Sequence, residues 1–439
     1  MMECERFVRA YLHVAVTLFA AISMASSESS SAIPVEVIRE DDGRWVLYRG
    51  GKPYFVKGAG VQGVDVSSVA ERGGNSIRTW WVDMAQDRLD AAHRAGLTVS
   101  LCLPIAAERF GVNYRDRAVL LDLANRVRAA VERFKDHPAL LAWIIGNELN
   151  LSMADDSNVY LVVNELSKLI RMLDPHHPTT TTLVGAEREI VARVRRDAPD
   201  LDFLSVQTYG GIAAVPKWIR QSFKDQPLML TEWGPLGFWE VARTSWDAPL
   251  EQTSTEKAQR LLDTYEDVIQ KHSKNIIGSY VFLWGQKQER SPTWFSMHTE
   301  TGESTEAVDA MQRLWTGHWP ANRAPAIQKV QIEGKNARQN IKIYPNSYFE
   351  ASVRATDPDA DPLTYAWSVK RESRETVEGG DFEVAIEDES GAVAQPRQAI
   401  AQILSPATPG PYRVYVYVYD NAGHAAHANV PFWVLEPES

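Results

Sequence analysis

Cysteine is almost missing from this sequence. The 439 residues hold two, Cys4 and Cys102. Cys4 falls in a segment expected to be removed, which leaves no internal disulfide in the mature chain. The chain must then hold together through its core, and its length permits that. Cys102 sits inside the apolar run "LTVSLCLP" and reads as a buried structural thiol, not a nucleophile. Positive charge is also in short supply. The formal net charge is −11, which argues against nucleic acid or anionic lipid as a partner, since both ask for a basic face. Beyond the N-terminal segment, no stretch approaches the ~20 apolar residues of a membrane span. No clustered His, Cys, Asp and Glu at metal-ligand spacing suggests a catalytic metal. No glycine-rich phosphate loop follows the first strand. Neither a metal nor a cofactor is therefore expected.

Residues 1–31 stand apart from the rest. Arg6 and Arg9 precede an apolar core, Ala10 to Ala25, and a serine-rich run follows. Ser23 and Ala25 supply small residues before a cleavage point near Ser26. This is the pattern of a secretory signal peptide, so a secreted or periplasmic protein is expected, with no membrane attachment after cleavage. The remaining text is that of an ordinary globular protein, 44% apolar and 23% charged. Its 14 tryptophans are many, and aromatic planes outside a core often serve as stacking surfaces for ligands such as sugars.

Residues 35–58 alternate apolar and polar around "DDG" and "GGKP", which predicts a hairpin leading into a strand. Short β-rich runs then alternate with amphipathic helices. Strands are predicted at 54–58, 75–80, 97–104, 140–147, 179–185, 201–209, 227–233 and 276–284. Helical spacing of apolar residues covers 117–135 (Leu120, Leu123, Val127, Val131, Phe134), 157–173, 255–272 and 304–315. Strands that read as buried on both faces, each followed by a helical segment, imply an α/β fold of the (β/α)8 TIM-barrel type. A doubly wound open sheet is the competing arrangement, weakened by the missing phosphate loop. The expected barrel domain is 32–317.

The register breaks after Gly317. "HWPANRAPAIQ" reads as a linker over 318–326. From 327 to 437 the sequence turns to strict alternation with turn clusters, as in a small all-β sandwich. "ATDPDADPLTYAWSV" and "VYDNAGHAAHA" resemble phrases of PKD or cadherin-like immunoglobulin-type modules. Asp357, Asp359 and Asp361 offer hard oxygen ligands for calcium, but a proline- and aspartate-driven turn accounts for the same pattern.

A barrel of this type places its site at the C-terminal ends of its strands. Strand two ends at Arg78, Trp80 and Trp81. Strand four ends at Asn147 and Glu148, strand six at Gln207 and Tyr209. Strand seven ends at Glu232 and Trp233, and strand eight at Trp284. Polar and aromatic residues thus gather at one rim while the strand bodies stay apolar. Two carboxylates stand out, Glu148 and Glu232. Retaining glycoside hydrolysis needs such a pair, one carrying a proton for the leaving oxygen and one ionised to attack the anomeric carbon. Close carboxylates force that division, because both cannot ionise cheaply.

The segments "PYFVKGAG", "NSIRTW", "WIIGNELN", "VQTYGG", "LMLTEWG" and "YVFLWG" occur in this order over residues 53–285. In them the chain resembles the clan A glycoside hydrolases, particularly the barrel domain of family 2-like members. The resemblance implies that Glu148 is the acid/base and Glu232 the nucleophile. It implies that Arg78 pairs with Glu232, that the Tyr209 hydroxyl bonds the same carboxylate, that Asn147 holds the sugar 2-hydroxyl, and that Trp284 floors the reacting sugar. The chemistry of the side chains agrees: arginine offers a permanent, bidentate cation, and tryptophan an apolar plane for the C–H face of a pyranose. One departure stands out. Family 2 enzymes carry sandwich domains before the barrel, whereas here only a hairpin precedes it and the sandwich follows.

Specificity then falls to the loops. The insert after strand seven, "WGPLGFWEVARTSWDAPLEQ", carries Phe238, Trp239 and Trp246, and long loops of this kind are usually functional. Trp80, Trp233 and Trp239 join Trp284 as expected sugar contacts. So many aromatics at one rim predict a polysaccharide or oligosaccharide substrate, and the resemblance, through the layout of barrel and following sandwich in some β-glucan-degrading members of the clan, implies a β-1,3-linked glucan first. A β-glucan transglycosylase would use the same pair, with a sugar hydroxyl in place of water. A non-catalytic glycan-binding scaffold would not need the pair at all.

Overall fold

The computed structural model describes residues 32–374, 379–394 and 397–436. The segment read as a signal peptide lies outside the described residues. The chain divides into two compact units. One comprises the chain up to Val61, Asp65–Trp233 and Glu266–Val281; the other comprises Gln62–Val64, Gly234–Tyr265 and everything from Phe282 onward.

A hairpin opens the described chain, with β1 (Val35–Arg39) antiparallel to β2 (Trp45–Arg49), and β3 (Lys52–Pro53) pairs back on β2. Next come the strands β4 (Val56–Gln62), β5 (Ser76–Arg78), β6 (Thr98–Leu103), β7 (Leu140–Ile145), β8 (Thr179–Thr180), β9 (Thr182–Val184), β10 (Leu204–Gln207), β11 (Leu228–Trp233) and β12 (Ile276–Gly285). These form one nine-stranded sheet in the order β8-β7-β6-β5-β4-β12-β11-β10-β9. Its two ends, β8 and β9, are halves of a single strand interrupted at Thr181. β8 pairs in parallel with β7 and β9 in parallel with β10. The sheet is therefore an eight-stranded parallel ring, a (β/α)8 barrel closed through the broken fifth strand. At the break the Thr181 hydroxyl donates to the carbonyl of Ile145 (2.8 Å), replacing a ladder bond with a side-chain one.

Helices follow the strands, among them Arg117–Phe134, Val159–Leu173, Ser254–Thr264 and Glu306–Thr316. The predicted helix over 255–272 is α-helical only to Thr264 and continues as a π-helical turn, Tyr265–Gln270. Its start is a capping box in which Thr253 and Glu256 satisfy each other's backbone N–H groups.

The barrel interior is closed below the site. Tyr280 on β12 lies against Gly58 on β4, where a Cβ would come within 2.3 Å of its ring. Its hydroxyl meets those of Ser76 (2.9 Å) and Ser100 (2.6 Å). Underneath, Val35 and Leu47 of the hairpin share a core with Leu141, Phe203, Met229 and Ile277 from the starts of the strands. The N-terminal hairpin thus plugs the bottom of the barrel and leaves the C-terminal rim for chemistry. Cys102 is buried on β6, and burial pushes its thiol up to about 11, so it is no nucleophile at neutral pH.

In the second unit the C-terminal residues form a separate all-β domain of two four-stranded sheets. One runs β13 (Ala326–Ile332), β15 (Tyr348–Thr356), β18 (Ile400–Leu404), β17 (Val393–Ala394). The other runs β14 (Lys342–Ile343), β20 (Ala425–Val434), β19 (Gly410–Tyr419), β16 (Thr364–Arg371). Inward residues of both sheets, among them Phe349, Trp367, Val414 and Phe432, form its core. The residues read as a linker are tied down on both sides. Ala324 donates its N–H to Asp309 (2.7 Å), and the Asn322 amide donates to Asp420 (2.6 Å).

A buried polar network also joins the strand-seven insert to the sandwich within this unit. The Glu251 carboxylate accepts from Lys257 (2.6 Å), Ser291 (2.6 Å), Thr293 (2.8 Å) and Asn429 of β20 (2.6 Å). Burial alone would raise this carboxyl, but the Lys257 ammonium and the surrounding donors outweigh it and hold it at about 2. Arg413 of β19 is buried and bonds Glu372, Asn429 and the carbonyl of Pro249 (2.6 Å) in the insert.

Candidate active site

The apolar run Leu140–Ile145 is fully buried as β7, and the chain turns sharply where it ends. Gly146 has φ +80° and Glu148 has φ +51°. A left-handed glutamate is uncommon and marks a position fixed by its surroundings. Those surroundings are supplied by β9: the Glu148 N–H donates to the Thr182 hydroxyl (3.1 Å). The Leu151 N–H in turn donates to the Glu148 carbonyl (2.9 Å). Asn147 and Glu148 are both half-buried at this turn.

Glu232, on β11, is buried and receives a dense set of donors. Its Oε1 accepts from Arg78 Nη1 (3.1 Å), Trp80 Nε1 (2.7 Å) and Gln207 Nε2 (3.0 Å). Its Oε2 accepts from the Tyr209 hydroxyl (2.9 Å). Three N–H donors saturate one oxygen, so the second, bonded by the Tyr209 hydroxyl, is the one with lone-pair density left for an electrophile. Arg78 is buried at the end of β5 and also donates to the Thr231 carbonyl (2.9 Å), which fixes its guanidinium plane. The Trp80 ring crosses Gly60, where a Cβ would stand 2.7 Å from its edge. Only glycine lets the indole reach Glu232 from that side.

Asn147 belongs to the same network. Its Oδ1 accepts from Arg78 Nη2 (2.8 Å) and Gln207 Nε2 (2.7 Å), and the Thr182 hydroxyl lies 3.3 Å away. This arrangement sets the amide orientation: the oxygen faces the donors, and the nitrogen, a hydrogen-bond donor, faces away from them. Arg78 and Gln207 thus each bond both Asn147 and Glu232, tying the end of strand four to the end of strand seven.

Gln207 was legible as the end of strand six but not as a site residue. A β-bulge explains its reach. β10 and β11 pair Val206 with Leu230 but Gln207 with Glu232, a shift of one residue. The slip places the amide opposite the carboxylate, a re-aiming that bulges often perform. Thr182 likewise carried no signal in "TTTTLVG".

The remaining predicted contacts are placed as follows. Trp233 is fully buried, one residue beyond Glu232 at the end of β11. Trp284 belongs to the second unit, where it is buried and stacked on Trp315, with ring centroids 5.5 Å apart and planes at 23°. Trp239, in the same unit, is 48% exposed. Among the described residues, the only grouping of acidic and imidazole side chains close enough to share an ion is Asp357, Asp361 and Asp420 in the sandwich. Asp357 Oδ1 accepts from the Asp359 and Asp361 N–H groups in an Asx-type turn, and Asp420 bonds Asn322 and His424, while Asp357 Oδ2 is buried without a hydrogen-bond partner.

The fold and the rim together define a (β/α)8 barrel with a clamped carboxylate near the C-terminal end of strand seven and a second carboxylate at the turn after strand four. No known family model matches the chain. Solved structures of the same fold include a β-glucuronidase from an uncultured Clostridium species (TM-score 0.50, 18% identity, covering 65% of this chain and 54% of that one). Another is the Bacteroides uniformis β-glucuronidase 2 (TM-score 0.50, 11% identity, 89% of this chain and 47% of that one). A third is a Ruminococcus gnavus β-glucuronidase (TM-score 0.50, 15% identity, 64% and 53%). At these identities the likeness is one of fold, and the chain spans about half the length of those proteins. A 55-residue stretch, 12% of this chain, is 38% identical to 13% of the mannan endo-1,4-β-mannosidase F of Aspergillus clavatus.

Proposed function

We propose that the chain is a secreted retaining β-glycoside hydrolase, with Glu232 as nucleophile and Glu148 as acid/base. The observation that carries this reading is the asymmetric clamp on Glu232. Arg78, Trp80 and Gln207 fix Oε1 and support its negative charge, while Oε2 is left to react. In the first step Oε2 attacks the anomeric carbon, the glycosidic C–O bond breaks, and Glu148 gives its proton to the departing oxygen. In the second, Glu148 takes a proton from water, the water oxygen bonds the anomeric carbon, and the Glu232 carboxylate leaves. Donors aimed at fixed charge in a dry site cost no reorganisation during reaction. Asn147, its oxygen held inward, offers its amide nitrogen to the sugar 2-hydroxyl.

The substrate we favour is a β-glucan, β-1,3-linked first. The fold-level likeness to β-glucuronidases and the short match to a mannan-cleaving protein make glucuronides and β-1,4-mannan the other arms of the test. Glu148→Gln and Glu232→Gln should each abolish turnover of the preferred polysaccharide and leave the melting temperature within a few degrees. Azide should rescue Glu232→Ala and give a glycosyl azide of inverted anomeric configuration. Rescue at position 148 with that stereochemistry, and none at 232, would reverse the two roles. Product sizing in the presence of excess oligosaccharide separates hydrolysis from transfer to a sugar hydroxyl.

A further inference from the structure

The second unit holds an indole that stays half-open to solvent. Trp239 sits in the strand-seven insert and keeps 48% of its surface open. Its position is nonetheless tightly determined. Phe238 meets it edge-on at 4.8 Å and 80°, and Phe295 lies at 6.2 Å. Phe238 in turn rests edge-on against Trp294 at 5.9 Å, and Trp294 is buried with its N–H on the Leu236 carbonyl (2.9 Å). An aromatic stack rooted in the unit's interior thus ends in a half-open ring.

Two glycines complete the seat. A Cβ at Gly237 would stand 2.4 Å from the ring, and one at Gly379 would stand 2.9 Å from its far edge. Neither glycine has a left-handed φ, so space and not backbone conformation requires glycine at both. Gly237 belongs to the insert, but Gly379 belongs to the sandwich, in the connection between β16 and β17. Residues 380 and 383 of that connection are held in place through bonds involving buried acids. The Gly380 N–H donates to Glu289 (2.9 Å), Lys287 bonds both Glu289 (2.6 Å) and the Gly380 carbonyl (3.1 Å), and the Arg290 N–H donates to Glu383 (2.8 Å). On the same turn Phe382 is 84% exposed.

We propose that Trp239, seated between Gly237 of the insert and Gly379 of the sandwich, is a stacking platform for one pyranose of a glycan chain, so that the sandwich takes a direct part in binding. The proposal rests on the reading of the chain as glycan-active. A pre-fixed indole face loses little freedom on binding, and its apolar plane suits the C–H face of a pyranose. A lipid or protein partner would ask for a broader apolar surface.

The test is affinity electrophoresis of the full chain through gels containing soluble β-1,3-, β-1,4- and β-1,6-linked glucans, mannan or a glucuronide polymer. Aryl β-glycoside turnover is measured on the same proteins. The wild type should be retarded by at least one polysaccharide, and Trp239→Ala should raise the dissociation constant roughly fivefold to tenfold. Gly379→Val, which leaves the tryptophan present but unseats it, should do the same. A melting curve identifies any variant that fails to fold, and Trp239→Ala then carries the test, because removing a half-exposed ring leaves the stack beneath it. Retardation unchanged in Trp239→Ala, or no retardation of the wild type by any polymer, overturns the proposal. Turnover alongside unchanged retardation refutes the platform alone. Trp239-dependent retardation without any turnover upholds the platform and refutes the hydrolase.

Discussion

Gln207 offers the sharpest test of how the rim is organised. Its Nε2 bonds Glu232 Oε1 at 3.0 Å and Asn147 Oδ1 at 2.7 Å, while its own Oε1 is buried without a partner. Gln207→Leu keeps the volume and removes both bonds. The bond to the carboxylate contributes ~1.5–3 kcal/mol and the one to the amide ~0.5–1.5 kcal/mol. Against this, the orphaned acceptor disappears, which returns ~1–3 kcal/mol. At the midpoints of these ranges stability should therefore fall by about 1 kcal/mol. Turnover should not be spared, because Glu232 and Asn147 lose the group that aligns them. If ~2 kcal/mol of that alignment is expressed only in the transition state, kcat falls about 30-fold. Gln207→Glu supplies a reading that a purely structural role would not move. It puts a new carboxyl about 3 Å from Glu232 Oε1, where two negative charges cannot both persist cheaply. Activity should then be confined to acid, with the alkaline limb of the pH–rate profile moved down. The assay is kcat against pH for both variants beside urea unfolding. Turnover of Gln207→Leu within threefold of wild type, or a profile for Gln207→Glu that does not move, would refute the alignment argument.

Stability should trace a dome in pH set by three buried groups of the second unit. Burial raises Glu306 from 4.5 to about 8, so its contribution is complete below pH 4.5 and is lost as pH rises through 8. Burial lowers His427 from 6.5 to about 3, so its contribution is complete above pH 6.5 and is lost as pH falls toward 3; Glu251, held at about 2, adds a loss below pH 4.5. Melting temperature should fall on both sides of a plateau between about pH 4.5 and 6.5, where the Glu306 loss and the His427 gain offset each other, and Glu306→Gln should flatten the alkaline limb and turn the plateau into a rise toward pH 6.5; an unchanged alkaline limb would count against the assignment. At the barrel rim, Arg78→Met should destabilise by ~3–5 kcal/mol, because it leaves the buried Glu232 carboxylate without its cation. Denaturant titration checks this, and a loss under 1 kcal/mol would mean that the remaining donors suffice.

Much of the barrel could be read from periodicity, because buried parallel strands leave unbroken apolar runs and their covering helices leave repeats of three and four. Arg78, Asn147, Glu148, Tyr209 and Glu232 could be placed at one rim for the same reason: each stands at or just past the end of such a run. What stayed hidden depends on distant neighbours. Gln207 follows an ordinary strand sequence, and only the bulge against β11 brings it to Glu232. The break at Thr181 depends on a carbonyl of the preceding strand. Trp80 read as a sugar contact, but its ring N–H binds Glu232, a placement made possible by Gly60 some twenty residues upstream. The grouping of the strand-seven insert with the sandwich rests on Glu251 and Arg413, whose partners lie far away in sequence. Local patterning does not encode such pairings.

The shared donors explain why the ring must close for the site to exist. Arg78 ends strand two, Asn147 follows strand four, Gln207 ends strand six and Glu232 lies near the end of strand seven. No two of these strands except the last pair are adjacent in the sheet. Their side chains meet only because the sheet curls on itself and brings its C-terminal ends around one axis. A single guanidinium and a single amide then bridge the positions that need fixing, and any shift of strand two or six moves Asn147 and Glu232 together. The broken fifth strand serves the same end. By pairing one half with β7 and the other with β10, it closes the ring and places Thr182 beneath the turn that carries Asn147 and Glu148. The left-handed backbone at Glu148 is thus held from the neighbouring strand, and the orientation of this carboxylate is a property of the closed barrel as a whole.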